Sequence, residues 1–328
     1  MTNIRQDWSK KEISTIFNTP IMQLIYTASQ IHASYHEIGE VQVCTLLSIK
    51  TGGCSEDCAY CPQAAKYNTG IESEKLMGID QVMEAAKNAK ESGSTRFCMG
   101  AAWRKVRDNK DFDNVVDMVK GINTLGLEVC VTLGMLTEDQ ALRLKQAGLY
   151  AYNHNIDTGE SYYEHIITTR KYEDRLETIG NVTKANISVC SGGIIGLGET
   201  DEDRVNMLHT LATLPIHPES VPVNALVAVE GTPLENQKRV SVWEMIRMIA
   251  TARILMPKAM IRLSAGRIFM NTEEQALCFL AGANSIFTGD KLLTTENNSL
   301  ESDKIMFETL GLKQRASFKD VAKSVEFA

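Results

Sequence analysis

Short apolar, β-branched runs alternate along the chain with longer stretches whose apolar residues recur every three or four positions. The short runs at 42–49, 95–100, 128–133, 150–156, 187–195, 221–228, 260–265 and 284–288 predict strands. The longer ones, among them Asp80–Ser92, Phe112–Leu125, Thr137–Ala147, Glu173–Asn186, Asp201–Leu214, Val242–Met256 and Thr272–Ala281, predict amphipathic helices. Thr137-Glu138-Asp139-Gln140 reads as a capping box, and Gly148 and Gly282 stand where helices end in a left-handed glycine. Strand and helix in alternation predict an α/β fold, a (β/α)8 TIM-type barrel. An open doubly wound sheet is the runner-up, but no dinucleotide fingerprint follows the first strand. Residues 1–40 read as an N-terminal helical extension, 41–295 as the barrel and 296–328 as a polar C-terminal tail.

Composition narrows the partners. A net charge of −7 argues against a broad nucleic-acid face and favours a small-molecule partner. No apolar run approaches the roughly 20 residues of a membrane helix, so no membrane partner is expected. The opening Met1-Thr2-Asn3-Ile4-Arg5-Gln6-Asp7-Trp8 resembles neither a signal nor a transit peptide, which predicts a cytoplasmic protein. In a reducing compartment its eight cysteines read as metal ligands, catalysts or small buried residues rather than disulfides.

Three of them carry a pattern. Ser48-Ile49-Lys50-Thr51-Gly52-Gly53-Cys54-Ser55-Glu56-Asp57-Cys58-Ala59-Tyr60-Cys61-Pro62 follows the first strand directly. Its C-x3-C-x2-C spacing suits a short loop wrapping three thiolates around one cubane, and the two glycines permit the tight backbone turn. A [4Fe–4S] cluster normally takes four cysteines, so three local ligands leave one iron open. Structural zinc and three unrelated buried cysteines are the alternatives, but no second Cys or His pair lies nearby to complete a zinc tetrahedron. This motif is similar to that of the radical S-adenosylmethionine superfamily. The resemblance implies a sulfonium cofactor on the open iron and a 5′-deoxyadenosyl radical after one-electron reduction.

Cys98, Cys130, Cys190 and Arg262 each lie in a different predicted strand. Alternation puts Arg96, Cys98 and Gly100 on one face, and Glu128, Cys130 and Thr132 on another; Arg262 shares its face with Ser264. A barrel would turn such faces to its axis. Each cysteine alone reads more readily as a small buried hydrophobe than as a ligand. The arginine needs an anion, because burying an uncompensated guanidinium is costly.

The segments Ser48–Tyr67, Gly93–Trp103, Tyr152–Thr158, Ile166–Arg170, Val189–Thr200, Glu219–Asn224, Arg262–Arg267 and Ala281–Thr295 together resemble the biotin synthases. The resemblance covers most of residues 42–295 and implies a [4Fe–4S] cluster on Cys54, Cys58 and Cys61. It also implies a [2Fe–2S] cluster on Cys98, Cys130, Cys190 and Arg262. The implied reaction inserts sulfur between C6 and C9 of dethiobiotin, with S-adenosylmethionine as radical source. Asn155, Asp157 and Arg175 are implied as cofactor contacts, with Tyr60 near the adenine, and Asn153 and Asn224 as contacts to the ureido ring. A homodimer, a flavodoxin- or ferredoxin-type electron donor and iron–sulfur assembly proteins are the implied partners. His154, of opposite phase to Asn153 and Asn155, reads as structural, and Cys44 and Cys278 as buried apolar residues. The glycines of Ser191–Thr200 look like a phosphate cradle, but close approach to the cofactor is the better expectation.

Overall fold

The computed structural model describes residues 4–318. Two helices, α1 (Lys10–Phe17) and α2 (Ile21–Tyr35), precede strand β1 (Glu40–Lys50). Then follow α3 (Ile79–Glu91), β2 (Arg96–Ala101), α4 (Lys110–Thr124), β3 (Glu128–Thr132), α5 (Glu138–Gln146) and β4 (Ala151–Asn153). After α6 (Glu160–Ile166) and α7 (Tyr172–Lys184) come β5 (Ser188–Cys190), β6 (Gly193–Ile195), α8 (Asp201–Ala212) and β7 (Ser220–Ala225). The chain continues through α9 (Val242–Leu255), β8 (Met260–Leu263), α10 (Thr272–Leu280) and β9 (Ser285–Thr288). A hairpin of β10 (Lys291–Leu292) and β11 (Thr295–Glu296), helix α11 (Leu300–Leu310) and strand β12 (Lys313–Gln314) complete it.

All pairings around the barrel are parallel, in the order β1-β2-β3-β4-β5-β7-β8-β9, and β9 returns to β1 to close it. This is the (β/α)8 TIM-type fold with an N-terminal helical extension that the hydrophobic pattern predicts. Alternation along the strands sorts the side chains. Phe97, Met99, Val129 and Val131 join the main apolar core between sheet and helices. The opposite phase faces the axis, where Cys44, Cys98, Cys130 and Ala151 form a separate cluster. The predicted capping box is present in α5: Gln140 N–H donates to Thr137 Oγ1 at 3.3 Å and Thr137 N–H to Gln140 Oε1 at 3.0 Å. Gly148 and Gly282 hold φ of 91° and 106° just beyond α5 and α10.

Three expectations change. The run at 187–195 is two strands, β5 ending at Cys190 and β6 beginning at Gly193, with tightly packed glycines at the junction. A Cβ at Gly192 would lie 2.0 Å from Pro222 O, and one at Gly193 would meet Met207 Sδ at 2.0 Å. The glycines therefore allow approach to other parts of the chain. Farther along, Gly196 and Leu197 N–H donate to the Glu199 carboxylate at 2.9 and 2.7 Å, so an internal carboxylate takes the donors of the apparent cradle. Strand four ends at Asn153, short of the predicted 156.

The third change concerns the tail. Residues 300–310 form α11, whose Asp303 accepts a two-pronged bond from buried Arg267 (2.5 and 2.8 Å), and β12 pairs with β1. The segment reads as polar because its anchor is an ion pair. Residues 319–328 of the expected tail lie outside the described residues. No helix among the described residues is long and apolar enough to cross a membrane.

Candidate active site

The loop after β1 turns back on itself. Gly52 and Gly53 both adopt φ of 67°, and a Cβ at Gly52 would lie 2.5 Å from Glu72 O. Cys54 N–H donates to Gln63 O (3.0 Å), Ala65 N–H to Cys54 O (2.8 Å) and Cys61 N–H to Cys58 O (2.9 Å). Asp57 fastens the loop to the segment before α7, accepting from Thr168 N (2.9 Å) and Thr169 N (3.2 Å). Burial opposes its ionisation, but these bonds and those of the two hydroxyls outweigh it and hold the carboxyl below its ordinary value.

Cys54, Cys58 and Cys61 all line one cavity of about 340 Å³ at the C-terminal ends of the strands, where barrel enzymes place their sites. Burial pushes the Cys58 thiol up to about 12 and that of Cys61 to about 11. Buried cations face them: Arg175 and Arg170 both favour the Cys58 thiolate. Arg170 Nε and Nη1 have no hydrogen-bond partner, although Glu56 lies 3.7 Å from Nε. Three thiols on a tight loop beside the under-partnered Arg170 guanidinium fit an anionic cubane held by thiolates.

Deeper in the barrel, Cys98 and Cys130 are register neighbours on β2 and β3. Cys190 lies at the end of β5 opposite Asn153, and Arg262 on β8 is 1% exposed. Cys98, Cys130 and Arg262 line the cavity; Cys190 sits behind its wall. Asn153 Nδ2 is 3.2 Å from Cys190 Sγ, and Arg262 Nη1 is 3.9 Å from the same sulfur. Arg262 Nε donates to Ser285 Oγ at 2.9 Å, and its guanidinium lies 4.5 Å from the Phe287 ring. Among the described residues no carboxylate pairs with Arg262. Burial disfavours its charge, yet the thiols of Cys44, Cys190 and Cys98 outweigh that. A buried guanidinium among sulfurs fits a further anionic metal–sulfide group.

Tyr60, Asn153, Asn155, Asp157, Arg175 and Asn224 also line the cavity. The strand phase does not bring Asp157 there. Its φ is 68°, and it makes an isolated bridge to Gly193. Asp157 and Arg175 form a buried ion pair, and Arg175 Nε donates to Tyr163 Oη at 2.9 Å. Asn224 is held by backbone on both sides: its Nδ2 donates to Gly193 O (2.9 Å) and its Oδ1 accepts from Ala265 N (3.2 Å).

Sequence reasoning passed over three residues here. His154 also lines the cavity, with Nε2 buried and unpartnered. Leu293, at the hairpin tip with φ of 55°, reaches down so that a Cβ on Gly100 would meet its Cδ2 at 2.7 Å. Cys44 belongs to the axial sulfur cluster. The alternation used for β2 and β3, applied to β1, would have turned Cys44 inward; no local signal marks the other two.

A parallel barrel with a three-cysteine loop directly after its first strand defines a radical S-adenosylmethionine enzyme, which uses that cofactor and a [4Fe–4S] cluster. The radical SAM superfamily model matches residues 48–211, and the Biotin and Thiamin Synthesis associated domain matches 222–313. Biotin synthase of Cytophaga hutchinsonii is 69% identical over 320 residues, covering 98% of this chain and 95% of that one. The mitochondrial biotin synthase of Arabidopsis thaliana is 62% identical, over 94% of this chain and 82% of its own. The chain belongs to the biotin synthase family. A solved methylornithine synthase superposes with a TM-score of 0.80 at 18% identity, covering 97% of this chain and 96% of its own, which shows the shared barrel alone.

Proposed function

We propose that this enzyme inserts sulfur between C6 and C9 of dethiobiotin to form biotin. S-adenosylmethionine would bind at a [4Fe–4S] cluster on Cys54, Cys58 and Cys61. Sulfur would come from a [2Fe–2S] cluster on Cys98, Cys130, Cys190 and Arg262. The observation that carries the reading is that one cavity is lined by Cys54, Cys58 and Cys61 and by Cys98, Cys130 and Arg262, with Cys190 within 3.9 Å of Arg262 and Asn153, Asn155 and Asp157 along it. When bound, the cofactor and clusters supply a carbon radical able to take hydrogen from saturated carbon, together with the sulfur, which acid–base side chains cannot provide.

The chain's own residues position and enclose the reactants. Asn155 and Asp157 are suited to the cofactor ribose, and Tyr60 to the adenine. Arg175 is suited to the methionyl carboxylate, since a guanidinium binds carboxylates in a fixed fork. Asn153 and Asn224 each offer a donor and an acceptor, matching the N–H and C=O of a ureido ring. Asn224 would do so with the capacity its two backbone bonds leave. The hairpin bearing Leu292 and Leu293 closes one side of the cavity against water.

One electron per cofactor cleavage implies a flavodoxin- or ferredoxin-type donor. Consumption of cluster sulfur implies service by iron–sulfur assembly proteins. A homodimer in the cytoplasm completes the proposal.

Anaerobic reconstitution with dethiobiotin, S-adenosylmethionine and a reductant tests this directly. Biotin and 5′-deoxyadenosine are expected together. The Cys58→Ala variant should release neither, and Cys98→Ala should still cleave cofactor while forming no biotin. Cofactor cleavage by the unaltered enzyme without biotin would overturn the substrate assignment.

A further inference from the structure

The barrel axis holds a fourth cysteine that the proposed sulfur-donating centre leaves unused. Cys44 on β1 is fully buried and clusters with Cys98 and Cys130, apart from the main core. Its Sγ lies 3.3 Å from Arg262 Nη2, while Arg262 Nη1 lies 3.9 Å from Cys190 Sγ. The guanidinium is thus bracketed by two sulfurs, one belonging to the proposed ligand set and one not. Cys278 offers the contrast: it too is fully buried, but within the aliphatic core, where a thiol is only a small apolar filler. Cys44 instead faces polar neighbours, with Ser285 Oγ 4.0 Å from its sulfur and Gln42 Oε1 sharing Arg262 Nη2.

We propose that Cys44 is a reserve ligand for the [2Fe–2S] site, placed to take over the iron position assigned to Arg262. This rests on the two-cluster reading above. Iron in such clusters is ordinarily held by thiolates, and a nitrogen from arginine is the weaker match. The exchange balances without redox change. The iron–nitrogen bond breaks and an iron–sulfur bond forms; the proton leaving the Cys44 thiol is taken up by the released guanidine. The contact of Cys44 with both Arg262 and the Cys98–Cys130 pair makes the required movement short.

Arg262→Leu, Cys44→Ala and the double variant, each reconstituted anaerobically, distinguish the outcomes by iron and sulfide content and by visible absorption. The unaltered enzyme and both single variants should hold about six irons per chain, and the double variant about four. Arg262→Leu should show the absorption of an all-cysteine [2Fe–2S] centre. Equal iron in Arg262→Leu and the double variant would overturn the proposal. So would loss of two irons in either single variant. Retained [4Fe–4S] absorption and circular dichroism report that each variant has folded. About four irons in the unaltered enzyme would instead overturn the two-cluster reading itself, before any variant is compared.

Discussion

Asn224 shows how one side chain can serve both fold and site. Its amide ties Gly193 O to Ala265 N, and so joins the glycine bend to the end of β8. Asn224→Ala should lower stability by about 1 kcal/mol, read from the urea midpoint, by leaving those backbone groups unpaired. It should also raise the KM for dethiobiotin several-fold; an unchanged KM would confine Asn224 to a structural role. Gly52 is a second such position. Its φ of 67° and the 2.5 Å approach of Glu72 O leave no place for a methyl group. Gly52→Ala should cost about 1–3 kcal/mol and reduce [4Fe–4S] content after reconstitution, measured as iron and sulfide per chain. Cys54, Cys58 and Cys61 were legible because their chemistry is local. Alternation puts Asn153, Asn155 and Asp157 on one face of strand four, but β4 ends at Asn153 and Asp157 reaches the cavity with a left-handed φ of 68° instead.

Helix α2 carries a pH-sensitive contact with the barrel. His32 and His36 stack at 5.2 Å between ring centroids, and His36 Nε2 lies 2.8 Å from Arg253 Nη1 on α9. Burial and the Arg253 charge lower His32 to about 4; the same causes, with His32 and Arg315, lower His36 to about 3. Both lie below the ordinary value of about 6.5, so the unfolded chain takes up protons first as pH falls. Their contribution is fully present above pH ~6.5 and declines as acid approaches the folded values. Urea unfolding should show a loss of about 2–4 kcal/mol between pH 7 and 5, and His32→Gln should remove about half of it. An equal slope in the variant would place the acid sensitivity elsewhere. At this scale the strand and helix pattern was largely readable. Helix α6, the break at Gly192-Gly193 and the early end of β4 were not, because each depends on contacts with neighbouring elements.

For the whole molecule, the segment after β9 ties itself back to the barrel. Arg267 is 1% exposed, and Asp303 of α11 holds its guanidinium by two bonds. At the opposite end of the axis Arg96 bridges Glu128 and Glu219, while Phe318 N–H donates to Glu128 at 2.5 Å. Asp303→Ala should lose about 3–5 kcal/mol in denaturant unfolding, because it strands a buried charge. Replacing both Arg267 and Asp303 with Leu should cost less, since no charge is then left buried. Equal losses in the two variants would argue against the ion pair as the source.

The sequence by itself determined the alternation that makes a parallel barrel, the cubane-binding loop and the inward faces of β2 and β3. Spacing and period are properties of neighbours along the chain, so they can be read there. Only closure of β9 onto β1 decided which distant side chains share the axis. It brings Cys44 to Arg262 and sets Arg262 beside Cys190. These are meetings between strands far apart in sequence, fixed by register and barrel curvature, which no local pattern encodes.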